Sequence, residues 1–196
     1  MFLLGLTGSI GMGKSTTAKM FADAGCAVWD ADAAVHRLYA SGGPAVDPVG
    51  KVFPSAVVGG QVSREKLKEV ILADPAALKQ IEDIVHPLVG EDRARFIANA
   101  QSDIVVLDIP LLFETGGNTR VDAVACVYAD PETQRARVMA RGTMSQDQFE
   151  TILSKQMPSQ EKCAKADYVI ETDTLAHAKL QVEAILKDIR GKIHHA

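Results

Sequence analysis

Short apolar runs alternate with longer stretches of helical periodicity along this chain. Phe2-Leu3-Leu4-Gly5-Leu6 reads as a buried strand. The segment after it puts Ala18, Phe21 and Ala22 on one helical face, with Gly25 placed to close that helix. Four further strands are predicted at Ala27–Asp30, Ile104–Ile109, Ala123–Tyr128 and Ala166–Glu171. A helix over Ala33–Ala40 ends at Ser41-Gly42-Gly43-Pro44, and from there to about Gln101 the pattern is helical without a clear strand. Ser63 caps a helix carrying Leu67, Val70 and Ile71. Asp74-Pro75 opens another, with Leu78, Ile81, Ile84 and Val85, which His86-Pro87 is expected to interrupt because proline lacks the N–H and crowds the preceding turn. A parallel crossover needs only about a dozen residues. The excess predicts a helical substrate-binding insertion, residues 36–101, within a single domain whose core is 1–35, 102–130 and 160–196.

After the fourth strand, Asp130-Pro131 starts a helix that carries Gln134, Arg135, Arg137 and Arg141. Ser145 and Gln148 form a capping-box pattern for the next helix, which ends near Gln156. These two helices predict a small lid over residues 131–159. Thr174 caps a last helix with Leu175, Ala178, Val182, Ile185, Leu186 and Ile189 on its apolar face. The whole is expected to be an α/β three-layer fold, a five-stranded parallel sheet with helices on both faces.

The candidate chemistry centres on Gly8-Ser9-Ile10-Gly11-Met12-Gly13-Lys14-Ser15, which fits the phosphate-loop pattern G-x-x-x-x-G-K-S between a strand and a helix. A triphosphate is a dense anion, best held by backbone N–H groups converging at the positive end of a helix. Glycines let the chain bend around it, Lys14 supplies a mobile charge, and Ser15 offers a hydroxyl to Mg²⁺. Asp108 ends a hydrophobic strand; it either positions Mg²⁺ or its waters, or bonds the phosphate-loop backbone. Asp30 and Asp32 follow the second strand, where open α/β sheets present their ligand crevice, so either could take a proton from a substrate hydroxyl. The alternative is that one caps the following helix and the other is solvated. Glu114 faces substrate or caps a turn. Arg137 and Arg141 share a helical face, and a lid arginine can neutralise charge on moving phosphates; the alternative is a solvated basic face.

Charge and composition narrow the partners. Of the 196 residues 21 are basic and 25 acidic, so the net charge of −4 argues against a nucleic-acid surface. No run approaches the ~20 apolar residues of a membrane helix, and no signal peptide is evident. Cys26, Cys126 and Cys163 lie far apart in the chain and lack metal-ligand spacing, which fits reduced thiols and a cytoplasmic location. The terminal His194-His195 pair receives no role.

Over its whole length the chain resembles the dephospho-CoA kinase family of P-loop kinases. The resemblance rests on Gly5-Leu6-Thr7-Gly8 with the phosphate loop, Asp30-Ala31-Asp32, Ser63-Arg64, His86-Pro87, Pro110-Leu111-Leu112-Phe113-Glu114, Gln134 with Arg137 and Arg141, Gln156, and Ala166-Asp167-Tyr168. The chain departs from the family's usual residues at Ser9, Phe53-Pro54, Arg141-Gly142-Thr143 and Glu171-Thr172. The resemblance implies transfer of the ATP γ-phosphate to the ribose 3′-hydroxyl of dephospho-CoA. It implies Asp32, Lys14 and Arg141 as catalytic residues, and ATP held by Gly11, Met12, Gly13, Lys14, Ser15 and Thr16 with Arg137. The acceptor falls to Thr7, Asp32, Arg64, His86, Pro87, Leu111 and Glu114, and Mg²⁺ to Ser15 and Asp108. ATP and dephospho-CoA are then the partners of a monomer or weak homo-oligomer. A kinase for another small hydroxyl compound is the alternative; a regulatory nucleotide switch fits less well, because no guanine-reading Asn-Lys-x-Asp is present.

Overall fold

The computed structural model describes Met1–His194; His195, half of the terminal histidine pair, lies outside the described residues. The chain runs β1 (Phe2–Thr7), α1 (Lys14–Asp23), β2 (Ala27–Asp30), α2 (Ala31–Tyr39), α3 (Val46–Val52), β3 (Val57–Val58), β4 (Gln61–Val62) and α4 (Arg64–Ala73). It continues with α5 (Ala77–Asn99), β5 (Ile104–Asp108), β6 (Ala123–Tyr128), α6 (Pro131–Ala140), α7 (Gln146–Lys155), α8 (Ser159–Lys165), β7 (Tyr168–Glu171) and α9 (Leu175–His194). It divides into two compact units. One comprises Met1–Trp29 and the chain from Ala100 onward; the other is Asp30–Asn99.

The first unit is built on the five-stranded sheet, in the order β2-β5-β1-β6-β7. β1 runs parallel to β5 and β6, and β6 parallel to β7. Alternation of side chains along each strand gives the sheet two apolar faces. Leu4, Leu6, Ile104, Val106, Ala125 and Ile170 pack with Phe21 of α1 and with Val182, Leu186 and Ile189 of α9. On the opposite face, Cys126 of β6 meets Cys163 of α8 at 3.8 Å between sulfurs. The three-layer architecture is therefore the one expected. Both thiols and Cys26 are free.

Several local expectations are met because they depend on near neighbours. α1 closes with a Schellman arrangement: Cys26 N–H bonds to Phe21 C=O at 3.1 Å, Gly25 N–H bonds to Ala22 C=O at 3.0 Å, and Gly25 has φ 91°. The buried face of α1 is Thr17, Ala18 and Phe21; Ala22 falls at the edge of that face and is exposed. Asp130 and Ser145 cap α6 and α7, the latter as a complete capping box. Leu175, expected on the buried face of α9, is 69% exposed, because it stands in the first turn before the helix reaches the sheet.

The second unit packs α2, α3, α4 and α5 around Leu38, Val49, Leu67, Ile81 and Val85. Two expectations fail here. The region contains an antiparallel hairpin, β3 with β4, turned by Gly59 and Gly60 at φ 59° and 78°. Two positive-φ glycines are what a tight two-residue hairpin requires. And α5 is one 23-residue helix that passes through Pro87. Ile81, Ile84, Val85, Leu88 and Val89 form one continuous stripe against the second core, and that burial outweighs the missing backbone hydrogen bond. The start of α5 also differs: Asp74 accepts from Ala76 N–H at 2.9 Å in a turn, and the helix begins at Ala77.

Candidate active site

The phosphate loop joins β1 to α1. Gly11 and Gly13 adopt φ 79° and 86°, values an L side chain resists. A Cβ on Gly11 would also come within 2.5 Å of Val138 Cγ2 and 3.0 Å of Gln134 C=O, because α6 lies directly against the loop. Gly13 is the N-cap of α1 and has no side chain to satisfy the first-turn N–H groups. Those donors, with the helix dipole, are left for an anion. Ser15 and Thr16 are exposed beside them.

Lys14 and Asp108 meet in a close ion pair; the Asp108 carboxylate is only 2% exposed and the Lys14 side chain 16%. Asp108 thus bonds the loop's lysine side chain. The carbonyls of the loop are gripped from outside. Gln134 Nε2 donates to Ile10 C=O at 2.7 Å. The Thr172 hydroxyl donates to Met12 C=O at 2.9 Å and accepts from Arg137 Nη1 at 2.9 Å. Arg137 also donates to the Thr172 carbonyl. Beside Gly13 a cavity of about 160 Å³ opens, lined by Thr16, Met20, Arg137, Arg141, Thr172 and Leu175 among others. Its lining mixes the apolar Met20, Leu175 and Ala178 with the two arginines.

The comparisons with known proteins bear on what such a loop serves. The family model for dephospho-CoA kinase matches residues 2–177. The chain belongs to the dephospho-CoA kinase family. A dephospho-CoA kinase of Ruegeria pomeroyi (strain ATCC 700808 / DSM 15171 / DSS-3) is 67% identical over 194 residues, covering 98% of both chains. A crystal structure from Thermus thermophilus superposes with TM-score 0.85 at 34% identity, covering 95% of this chain and 97% of the other. A dephospho-CoA kinase from Campylobacter jejuni shares the fold, with TM-score 0.70 at 24% identity over 97% and 98% of the two chains. Family membership makes this an ATP-dependent kinase.

Against that family background, the structure distributes the sequence-predicted residues unevenly. In the first unit Gly11, Met12, Gly13, Lys14, Ser15 and Thr16 form the loop and helix start, and Arg137 and Arg141 line the adjoining cavity. Thr7 is fully buried and its hydroxyl donates to Pro110 C=O at 3.0 Å. Leu111 is 42% exposed on the turn after β5. Glu114 accepts from Met157 N–H at 2.9 Å and pairs with Lys162 at 2.8 Å. Lys162, a residue the sequence reading passed over, has no exposed side-chain surface and also donates to Pro110 C=O at 3.1 Å. Burial pushes the Glu114 carboxyl up, but the hydrogen bonds from Lys162 and Met157 and the lysine charge outweigh it and hold it below the usual value.

In the second unit, Asp30 caps α2, accepting from Ala33 N–H at 2.9 Å, which leaves it the structural role. Asp32 sits one residue into α2, exposed, its carboxylate without a hydrogen bond or ion pair among the described residues. It lines a cavity of about 260 Å³ with Val35, Tyr39, Arg64, Lys68 and Ile71. Arg64 lies 5.9 Å from the centre of the Tyr39 ring. His86 and Pro87 are exposed on α5.

The donor set near the loop suits Mg²⁺. Ser15 offers a hydroxyl and Asp108 a carboxylate, hard oxygens of the kind this ion takes in ones or twos while keeping phosphate and water. Among the described residues no cluster of three or more His, Cys, Asp or Glu forms an all-protein metal cage, and no helix is long and apolar enough to cross a membrane.

Proposed function

We propose that the chain transfers the γ-phosphate of ATP to the ribose 3′-hydroxyl of dephospho-CoA, giving coenzyme A and ADP, with the residues assigned as follows. The observation that carries the assignment is the loop itself: two left-handed glycines, loop carbonyls held from outside, and unsatisfied N–H groups at the start of α1. ATP phosphates occupy the amides of Gly11 to Thr16, and its nucleoside the cavity under Arg137 and Leu175. Ser15 and Asp108 would hold Mg²⁺, which would supply charge neutralisation on the phosphate oxygens. The cavity of the second unit takes the acceptor: its apolar wall suits an alkyl arm and a base, and Arg64 and Lys68 suit phosphates. His86, Pro87, Leu111, Thr7 and Glu114 belong to the acceptor side, with Glu114 and Thr7 acting through the turn at Pro110.

Asp32 orients the 3′-hydroxyl and accepts its proton as that oxygen attacks the γ-phosphorus. Its free carboxylate supports this. Lys14 leaves Asp108 for the phosphates, and Arg141 meets the negative charge spread over the transferring group. Residues 131–159 act as the lid that excludes water, and 36–101 as the acceptor-binding insertion. The three free thiols fit a reducing cytoplasm, and we take the working form to be a monomer or weak homo-oligomer without nucleic-acid or membrane partners. Incubation with Mg·ATP and a panel of hydroxyl acceptors, followed by ADP release, tests the reading. ADP formed only with dephospho-CoA supports it; equal release with other acceptors, or none, overturns it.

A further inference from the structure

One residue of the phosphate loop, Ile10, is held through both of its backbone groups. Ile10 C=O accepts from Gln134 Nε2 at 2.7 Å, and Ile10 N–H donates to Gln156 Oε1 at 3.3 Å. The two glutamines come from different places, Gln134 from the second turn of α6 and Gln156 from the C-cap of α7. They stand 124 and 146 residues from Ile10 in sequence. Gln134 is 5% exposed and wedged where α6 abuts Gly11. Gln134, Arg137 and Arg141 occupy positions i, i+3 and i+7 of the same helix, hence one face. The contact that holds Ile10 therefore lies on the helix face that carries Arg137 and leads to Arg141 at the C-cap.

We propose that Gln134 and Gln156 are positioning residues that couple α6, which carries Arg137 and ends at Arg141, and the neighbouring α7 to the phosphate loop, so that the loop amides and Arg141 are presented to ATP as one unit. Neither glutamine touches the phosphates in this scheme. Each fixes one of the two peptides that flank Ile10, so that the following amides, from Gly11 on, converge at the anion. The inference rests on the ATP site proposed above.

The polarity of the two bonds makes it testable, because the backbone dictates it. Ile10 C=O needs a donor and Ile10 N–H needs an acceptor. At position 156 a glutamate keeps the acceptor; at position 134 it sets a carboxylate against a carbonyl. The variants are Gln134→Leu, Gln134→Glu, Gln156→Leu and Gln156→Glu. Each is measured for the Kd of Mg·ATP by calorimetry in roughly 0.3 M salt, where long-range charge repulsion is screened, and for melting without nucleotide. Both leucine variants are expected to weaken Mg·ATP about fivefold or more, the usual worth of leaving a buried polar group unpaired. Gln156→Glu is expected to bind closer to wild type than Gln156→Leu, while Gln134→Glu binds no better than Gln134→Leu. The same order is expected in kcat. Kd values that match wild type in all folded variants, or an order indifferent to polarity, overturn the coupling. A wild-type protein that does not bind Mg·ATP overturns the ATP-site reading instead. If a position 134 variant does not fold, the pair at the half-buried position 156 still decides.

Discussion

Lys14 of the phosphate loop is parked on Asp108 at the end of β5. The relationship implies a competition, since ATP must draw the lysine away from a nearly buried carboxylate. Asp108→Asn should therefore tighten ATP measured without Mg²⁺, by roughly tenfold or more, the worth of one charge-assisted hydrogen bond. The same variant should raise the Mg²⁺ concentration that gives half-maximal activity. Calorimetry in the presence of a chelator and a Mg²⁺ titration of turnover read the two effects separately. Unchanged Mg²⁺-free affinity would show that the pair does not restrain Lys14.

Asp32 has a different signature. Its neighbour Asp30 is occupied as the cap of α2, whereas the Asp32 carboxylate has no hydrogen bond or ion pair among the described residues, and the proposed base is tested there. Asp32→Asn keeps shape and hydrogen bonding but removes the base. It should lower kcat by about 10²-fold or more while Mg·ATP affinity stays near wild type. If turnover survives, the proton leaves by another route and Asp32 is an orienting residue at most.

Arg141 stands exposed at the end of α6 and lines the cavity beside Gly13. A group that meets charge only as the phosphoryl moves should affect kcat and kcat/KM alike. Arg141→Ala is expected to reduce both by about 10²-fold, comparable to losing one preorganised donor. Arg141→Lys should restore only part, because a point charge cannot reproduce the planar fork. A rise confined to KM for ATP would make Arg141 a uniform binder.

The pair of Glu114 and Lys162 gives a pH dependence. The folded carboxyl titrates below its ordinary value of 4.5. A depressed acid contributes stability that is present above the ordinary value and is lost as pH falls through the folded one. The chain should therefore lose stability on acidification below about pH 4.5, and Glu114→Gln should flatten that limb in urea melts. Lys162→Met should also flatten it, because the ammonium that depresses Glu114 is gone. An acid limb identical in all three proteins would remove this pair as its source.

What could be read in the amino acids was local. The phosphate loop, the strand ends, the caps at Ser63, Asp130, Ser145 and Thr174, and the stop at Gly25 each depend on residues within a few positions. The β3–β4 hairpin was missed: Gly59-Gly60 stands between Val57-Val58 and Gln61-Val62, but strands of two residues carry no periodicity. α8, seven residues after Pro158, is too short to show a repeat. The braces of the site were hidden for another reason. Thr172 lies 160 residues from Met12, and Lys162 lies 52 from Pro110. A threonine or a lysine in a helical or turn context reads as solvated until the fold buries it.

Pro87 tests the balance between local preference and packing. Inside α5 it deprives the Asp83 carbonyl of its helical partner, at a position where the ring faces outward. An exposed helix-interior proline costs up to about 3 kcal/mol relative to alanine. The chain tolerates it because the stripe from Ile81 to Val89 remains buried on both sides of the break. Pro87→Ala restores the N–H without touching that stripe, so it should stabilise the protein by about 1–3 kcal/mol, seen as a higher midpoint in urea. A proline kept against that gain points to service at the acceptor side. The same variant should then raise KM for dephospho-CoA while leaving KM for ATP alone. Greater stability with both constants unmoved would strike Pro87 from the acceptor site. No gain in stability would mean that α5 already relieves the missing bond by bending.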